Sequence, residues 1–409
     1  MTDGQGSDSA PDGGASAGSV ASVDADPSIL HLSPAEREEQ GITDEAVREA
    51  FLAVVERGDA ETKDLRGVTL PGISLDRLVL EGIDRHPVDL RDATIEGPLS
   101  LEFSTVRVPV LLDGATVGGF RLDNTHFENE LSATGMTVTG EVDAFETRFD
   151  ADVHLDEATF EEHVSFDETI FDDDVDFDDA AFEATAHFRG AEFHGDSNLL
   201  DDNTTFTGAT FADVADFQVA EFGFAHFEGV TFADEADFQE ATFDGDVTFD
   251  GATFAGLADL DEGTFDGDAS FEECVFEGPV DARGATFSGG ERALEDDVSF
   301  AGAAFHDEAA FDQAKFRYVS FSGADFEARG GFQETVFTAD ADFPDVRFGA
   351  KADFDEARFG EDADFSNVRF EAYCEFRGVE FQGGANFLED DVSFEGAEFA
   401  TDVDFHNAE

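Results

Sequence analysis

A ladder of phenylalanines constrains the fold of this chain more than any other feature of its sequence. From Phe227 to Phe276 the large apolar residues follow one another at intervals of five or six, with Leu260 replacing one phenylalanine. Ala or Val stands two positions before most of them, and the residues between are mainly Asp, Glu, Thr, Ser or Gly. An amphipathic helix would space apolar residues three and four apart, and a half-buried strand would alternate them. The ladder matches neither template.

A repeat this short cannot bury its own apolar side chain, so successive units must stack on one another, as in a solenoid. Side chains alternate along an extended segment, and the large residue therefore shares a face with the small residue two positions before it. Both point inward, while the polar residues point outward. The pattern predicts a coil with short, straight sides and phenylalanines stacked in its interior.

The units resemble those of pentapeptide-repeat proteins, which read Ala, then Asp or Asn, then Leu or Phe, then two variable residues. Examples are ADFQE at 236–240 and ADFDE at 352–356, and the resemblance extends over about residues 61–409. It implies an all-β fold, a right-handed quadrilateral β-helix with four short sides per turn. The departure is a sixth residue in alternate units, such as Asp246 and Asp268, which we place as an outward bulge near a corner.

Composition and periodicity divide the chain into three parts. Residues 1–29 are mostly Gly, Ser, Ala, Asp and Pro, which predicts a disordered acidic tail. Residues 30–59 have a helical pattern and are predicted to form an N-terminal cap over the first turn. Residues 60–409 form the predicted β-helix.

Two helices are expected in the cap. Ser33 and Pro34 fit the N-cap and first position of a short helix that ends at Gly41. A second helix is predicted to follow Thr43 and to stop at Gly58. Its apolar residues fall on one stripe, which consists of Val47, Phe51, Val54 and Val55.

The chain has 98 acidic and 22 basic residues, a formal net charge of -76, and only three lysines. At molar salt the Debye length falls to about 3 Å and repulsion between carboxylates is screened. This composition predicts a halophilic source, and the competing interpretation is a surface that imitates nucleic acid. The N-terminus has no signal-peptide pattern and no segment of about twenty apolar residues occurs, which predicts a cytoplasmic protein without a membrane span.

The two cysteines, Cys274 and Cys374, both occupy the small position two residues before a phenylalanine. We expect them to be buried free thiols on different turns, too far apart to form a disulfide. The sequence contains no Cys-x-x-Cys metal pattern, no nucleophile elbow and no Gly-rich phosphate loop. It therefore predicts no enzyme activity, no cofactor and no dedicated metal site.

A longer repeat lies over the short one from about residue 193. The segments NLLDDNTTF (198–206), RALEDDVSF (292–300) and NFLEDDVSF (386–394) begin 94 residues apart. Each falls in a gap of 13 residues between phenylalanines, as from Phe193 to Phe206. If the gap is one side plus an excursion, the block makes four whole turns and the three segments stack along one side, about 19 Å apart. If it holds two sides, each segment is rotated by a quarter turn.

These segments carry the only candidate site. Their carboxylates could hold a hard cation or dock a basic partner, and the alternative is a set of solvated loops. The candidate residues are Asp201, Asp202, Glu295, Asp296, Asp297, Glu389, Asp390 and Asp391.

Two functions compete. The first is a rigid acidic scaffold that binds partner proteins and does not bind nucleic acid directly. The second is implied by the resemblance, since some pentapeptide-repeat proteins mimic duplex DNA and modulate type II topoisomerases or other DNA-binding proteins. The chain ends in mid-repeat with no closing helix, which also predicts end-to-end homodimers through the C-terminal turn.

Overall fold

Four parallel sheets form the sides of a solenoid whose strands are two residues long. The computed structural model describes residues 25–59, 61–82, 86–195, 204–289, 298–382 and 392–409. The sheets contain 15, 15, 14 and 14 strands, and each strand pairs with the strand four positions later in the chain. We name them side 1 to side 4 in the order in which the chain visits them.

Sides 1 and 2 differ in which strand residue points inward. On side 1 the second residue is buried, and on side 2 it is the first. Side 1 consists of Thr69–Leu70, Thr94–Ile95, Thr116–Val117, Thr137–Val138, Thr159–Phe160, Ala181–Phe182, Thr210–Phe211, Thr231–Phe232, Thr253–Phe254, Val275–Phe276, Ala304–Phe305, Asp325–Phe326, Arg347–Phe348, Arg369–Phe370 and Glu398–Phe399. Side 2 consists of Ile73–Ser74, Leu99–Ser100, Phe120–Arg121, Val142–Asp143, Val164–Ser165, Ala186–His187, Ala215–Asp216, Ala236–Asp237, Ala258–Asp259, Val280–Asp281, Ala309–Ala310, Gly330–Gly331, Ala352–Asp353, Cys374–Glu375 and Val403–Asp404.

Sides 3 and 4 repeat these two patterns. Side 3 consists of Val79–Leu80, Thr105–Val106, His126–Phe127, Arg148–Phe149, Ile170–Phe171, Glu192–Phe193, Glu221–Phe222, Thr242–Phe243, Thr264–Phe265, Thr286–Phe287, Lys315–Phe316, Val336–Phe337, Arg358–Phe359 and Glu380–Phe381. Side 4 consists of Val88–Asp89, Val110–Leu111, Leu131–Ser132, Val153–His154, Val175–Asp176, Thr204–Thr205, Ala225–His226, Val247–Thr248, Ala269–Ser270, Val298–Ser299, Val319–Ser320, Ala341–Asp342, Ala363–Asp364 and Val392–Ser393.

The phenylalanines stack in the interior. Phe249 is fully buried, and its ring centroid lies 4.7 Å from that of Phe227 below and 4.9 Å from that of Phe271 above, with the rings nearly parallel. Across the interior its ring meets that of Phe238 edge-on, at 5.5 Å and 85°. Offset stacks and edge contacts are the two favourable geometries for aromatic pairs. The predicted solenoid and the inward position of its large residues are therefore confirmed.

The corners explain the alternation of five and six residues. Between sides 4 and 1 and between sides 2 and 3 the chain turns tightly, with one residue in the left-handed region, such as Gly251 at φ 67° and Glu262 at φ 56°. The other two corners carry the sixth residue. Asp246 and Asp268 both lie between sides 3 and 4, as predicted, and Oδ1 of Asp246 accepts the backbone N–H of Asp268 at 3.0 Å.

Three helices cover the first turn. They are a 3-10 helix at Pro27–His31 and α-helices at Pro34–Gln40 and Asp44–Arg57. The 3-10 helix overlaps the end of the predicted tail, because Leu30 packs into the core. All four residues of the predicted apolar stripe are buried. Arg48 donates to the carbonyl oxygen of Ser74, which satisfies an acceptor on an otherwise open strand edge.

Both cysteines are free and buried, as predicted. Sγ of Cys274 lies 3.0 Å from the carbonyl oxygen of Phe249, and burial raises the pKa of Cys374 to about 12. Thiols in this state are poor nucleophiles and serve here as small packing residues. Within the described ranges, no helix is long and apolar enough to cross a bilayer.

Candidate functional site

The 94-residue block makes four whole turns. On side 4, Thr204–Thr205 is followed by strands 21, 22, 22 and 29 residues apart, and the last of these is Val298–Ser299. The same four steps lead from there to Val392–Ser393. The 13-residue gap is therefore one side plus an excursion, and the alternative of a quarter-turn rotation is wrong.

The three long turns share one corner, which we call the insertion corner. It lies between sides 3 and 4, where the chain leaves the described residues at 196–203, 290–297 and 383–391. All eight predicted site residues fall in these segments and so lie outside the described residues. The structure fixes where the segments begin and end, at intervals of four strands or about 19 Å.

Acidic residues line the insertion corner in the turns before each segment. The described corners at 172–174, 266–268 and 360–362 each hold at least two carboxylates. Asp172 contacts Arg148, and its Oδ1 lies 3.4 Å from Nδ1 of His194. An excess of carboxylates therefore surrounds the points where the segments leave and rejoin the solenoid.

An aromatic residue stands at the insertion corner in the turn after each of the first two segments. Phe224 and Tyr318 are 94 residues apart, both are half-buried, and the corner there lacks its sixth residue. The Tyr318 hydroxyl donates to Oδ2 of Asp342 at 3.2 Å. Sequence reasoning missed these two residues, although the 94-residue offset relates them directly.

Acidity is concentrated in the middle of the solenoid. Between Arg148 and Arg283 the chain has 39 Asp and Glu and a single basic residue, Arg189, if His is counted as neutral. This third of the sequence therefore carries a net charge of -38, half of the total of -76.

Comparison with known proteins agrees with this architecture. A family model described as "Pentapeptide repeats (9 copies)" matches residues 122–170, 199–242, 227–275, 249–291 and 332–380. The chain belongs to the pentapeptide-repeat family. A search of curated proteins finds no match.

One similar solved structure is HetL, a pentapeptide repeat protein involved in heterocyst differentiation regulation from the cyanobacterium Nostoc sp. strain PCC 7120. The two chains are 12% identical, the alignment covers 72% of this chain and 88% of HetL, and the TM-score is 0.17. Four units of five residues would give 20 per turn. This pentapeptide-repeat chain usually has 22, as from Thr94 to Thr116, because two corners carry the sixth residue.

Side 2 of the pentapeptide-repeat solenoid bears a column of four aspartates in register, Asp216, Asp237, Asp259 and Asp281. Adjacent carboxylates are one strand spacing apart, about 4.8 Å. Burial raises the pKa of Asp259 to about 6, and the charges of Asp237 and Asp281 raise it further, while the backbone N–H of Asp261 opposes the shift. Asp281 differs because Arg283 binds it.

We predict that Asp259→Asn stabilises the protein at pH 7. The folded-state pKa lies above the unfolded value, so the folded state binds the extra proton, and stability falls as pH rises from about 4 to about 6. Removing the charge should recover about 1 kcal/mol at neutral pH, after allowance for solvent screening. The gain should vanish near pH 4. Thermal melts at both pH values measure this, and equal shifts at the two pH values would refute it.

A cluster of ion pairs lies farther along side 2. Asp353 and Glu375 are buried neighbours, and Nζ of Lys351 lies 2.8 Å from Oδ2 of Asp353 and 2.5 Å from Oε2 of Glu375. Arg329 reaches Asp353 at 3.1 Å across Gly331, where a Cβ would lie 2.9 Å from the guanidinium. Burial alone raises the pKa of Asp353, but the bonds from Lys351 and Arg329 outweigh it and lower the pKa.

Lys351→Met should destabilise the protein by about 2 kcal/mol, because it leaves two buried carboxylates with less neutralisation. Lys315→Met is the matched control, since Lys315 lies exposed on side 3. Chemical denaturation of both variants gives the comparison. Equal stability of the two would show that Lys351 does not hold the cluster together.

Three groups of described residues have the spacing of metal ligands. Asp353, Asp355 and Glu375 form one, but Lys351, Arg329 and Arg377 already neutralise it. The others are His154 with Asp156 and Asp176 on side 4, and Asp152 with Asp173 and Asp174 at the insertion corner. Sequence reasoning missed all three, because the members are neighbours only once the 22-residue register is known.

Proposed function

We propose that the protein is a non-enzymatic scaffold that docks a partner protein along the insertion corner. The observation that carries this proposal is the four-turn period of the 94-residue block. It returns three segments of similar sequence to one corner, about 19 Å apart. A structural rod needs no such phasing, whereas a row of docking points does.

The partner should present a basic surface. The segments contribute Asp201, Asp202, Glu295, Asp296, Asp297, Glu389, Asp390 and Asp391, and the described corners beside them add further carboxylates. Complementary charge accelerates encounter and fixes orientation more than it adds affinity. We expect the aromatic rings of Phe224 and Tyr318 to supply apolar contact area next to the charges, since interfaces favour aromatic residues.

A halophilic cytoplasm remains the proposed setting. The scarcity of lysine supports it. Uniform salt adaptation, however, does not by itself place half of the net charge between Arg148 and Arg283. The uneven distribution supports a second role for that acidity, in partner binding.

A capture experiment tests the proposal. The protein is immobilised and exposed to its own lysate in molar KCl, with the eight segment carboxylates intact or changed to Asn and Gln. The control variant changes eight exposed carboxylates away from the insertion corner, at Glu161, Glu183, Asp234, Glu240, Glu262, Glu277, Asp307 and Glu327. A partner lost only from the segment variant supports docking at the corner. A partner lost equally from both variants, or retained by both, contradicts it.

The second candidate is a DNA-mimicking modulator of a type II topoisomerase or other DNA-binding protein. The observation that favours it is charge density. The net charge of -38 spreads over about six turns, or about 1.3 charges per Å, while duplex DNA carries about 0.6. Duplex DNA should then displace the captured partner, and the control variant should bind as weakly as the segment variant.

End-to-end pairing stays a separate prediction. In the last described turn Phe399 and Phe405 are 38% and 45% exposed. Replacing both by Glu should abolish any dimer that forms through this turn. An unchanged dimer in that variant would contradict the prediction.

A further inference from the structure

One side of this highly acidic solenoid is free of charge at its most regular position. On side 1 the outward residue of eleven consecutive strands, from Thr69–Leu70 to Ala304–Phe305, is Thr in eight strands, Ala in two and Val in one. We call this column the threonine face. It runs through the stretch in which the other sides are most acidic.

The centre of the threonine face is uncharged across its whole width. In three consecutive turns the two outward residues of side 1 are Thr210 and Ala212, then Thr231 and Ala233, then Thr253 and Ala255. All six are at least partly exposed. Their side chains are short, so another sheet could approach to the usual distance of about 10 Å between packed sheets.

The other three sides are acidic in the same turns. Side 2 bears Asp237 and Asp259 in register. The outward residues that follow the strands of side 3 include Asp244 and Asp266, and those of side 4 include Glu228 and Asp250.

Beyond Ala304 the threonine face ends. The column continues as Asp325, Arg347 and Arg369, and Arg347 forms ion pairs with Asp325 at 2.7 Å and with Glu371 at 2.9 Å. The uncharged surface is therefore confined to one stretch of one side.

We infer that two copies of this chain pair side by side through their threonine faces. A second copy carries the same charge of -76, so its acidic sides are repelled and only the uncharged side permits contact. The face also repeats at each strand, about every 4.8 Å, and another solenoid of the same kind presents the same period.

Area and salt set the strength of this pairing. The face is about 48 Å long and about 10 Å wide, which gives nearly 1,000 Å² of total buried surface, below the range of stable complexes. At 1 M salt the Debye length of about 3 Å screens the charges on the outer sides, whereas at 0.01 M it is about 30 Å and the rods repel. The pair should therefore be weak, and it should form only at high salt.

Sedimentation equilibrium in 3 M KCl at protein concentrations up to about 1 mM tests the inference. The wild type should show a monomer–dimer equilibrium. Thr231→Glu with Thr253→Glu, which adds like charge to the face, should lower the association constant at least about tenfold. The matched control is Thr242→Glu with Thr264→Glu, which alters the same Thr-Phe strands on side 3 and should associate like the wild type.

Circular dichroism in the same buffer checks that both double variants are folded. A wild type that stays monomeric up to 1 mM would overturn the inference. So would a side 1 variant that dimerises as strongly as the side 3 variant. Loss of the dimer on changing Phe399 and Phe405 to Glu, with no effect of the side 1 changes, would also overturn it and assign the contact to the C-terminal turn.

Discussion

Phe249→Asp is expected to break the solenoid in its middle. The ring of Phe249 is fully buried between those of Phe227 and Phe271, and the carboxylate would find no cation inside the phenylalanine stack. Loss of a buried Phe side chain costs about 3 to 5 kcal/mol, and burial of an unpaired charge adds several more. In a solenoid each turn contacts only its neighbours, so the damage should divide the rod into two separately melting parts.

Thermal melting in molar KCl, followed by circular dichroism, should show a lower and broader transition for this variant. Limited proteolysis should cut it near residue 249. Thr248→Asp is the matched control, because Thr248 is the outward neighbour on the same strand and the new charge stays in solvent. Wild-type melting of Phe249→Asp would refute the inward position of the ladder.

Removal of salt is expected to have the next largest effect. Carboxylates on adjacent turns lie about 4.8 Å apart, and each such pair repels by about 1 kcal/mol in water. At millimolar salt this repulsion extends over several turns, since the Debye length is then tens of Å. With 39 acidic residues and one Arg between Arg148 and Arg283, the sum should exceed the net stability of the middle turns.

We therefore expect the β signal in circular dichroism to fall between 2 M and 5 mM KCl and to return when salt is restored. The triple change of Asp216, Asp237 and Asp259 to Asn should shift the midpoint to lower salt, because it removes three members of the side 2 column. An unchanged spectrum over this range would contradict the role of charge repulsion. Sucrose at equal osmolality should not replace KCl.

The sequence predicts the repeating part of the fold because each unit carries the same instruction. Phe249 must point inward and Asp246 outward whatever the exact number of turns, and both do. Cys274 follows the same rule, since it stands in the small position of its unit. The helix stripe that includes Phe51 is equally readable, because helical periodicity is local.

Features that depend on register could not be read in advance. A 13-residue gap accommodates either one side or two, so the place of the three segments needed the strand pairing from Thr204 to Val298. The cluster around Asp353 and the threonine face each depend on which units share a side. The register supplies that information, because residues 22 apart become neighbours.

The central claim is that the 94-residue block returns the three segments to one straight row. Electron–electron distance measurements test this with spin labels at Thr210, Ala304 and Glu398, which are equivalent positions on side 1. Pairs of Cys substitutions at these sites are made in a Cys274→Ala, Cys374→Ala background. The account predicts backbone separations of about 19 Å for each neighbouring pair and about 38 Å for the outer pair. Unequal neighbouring distances, or an outer distance well short of their sum, would show that the segments are not in line.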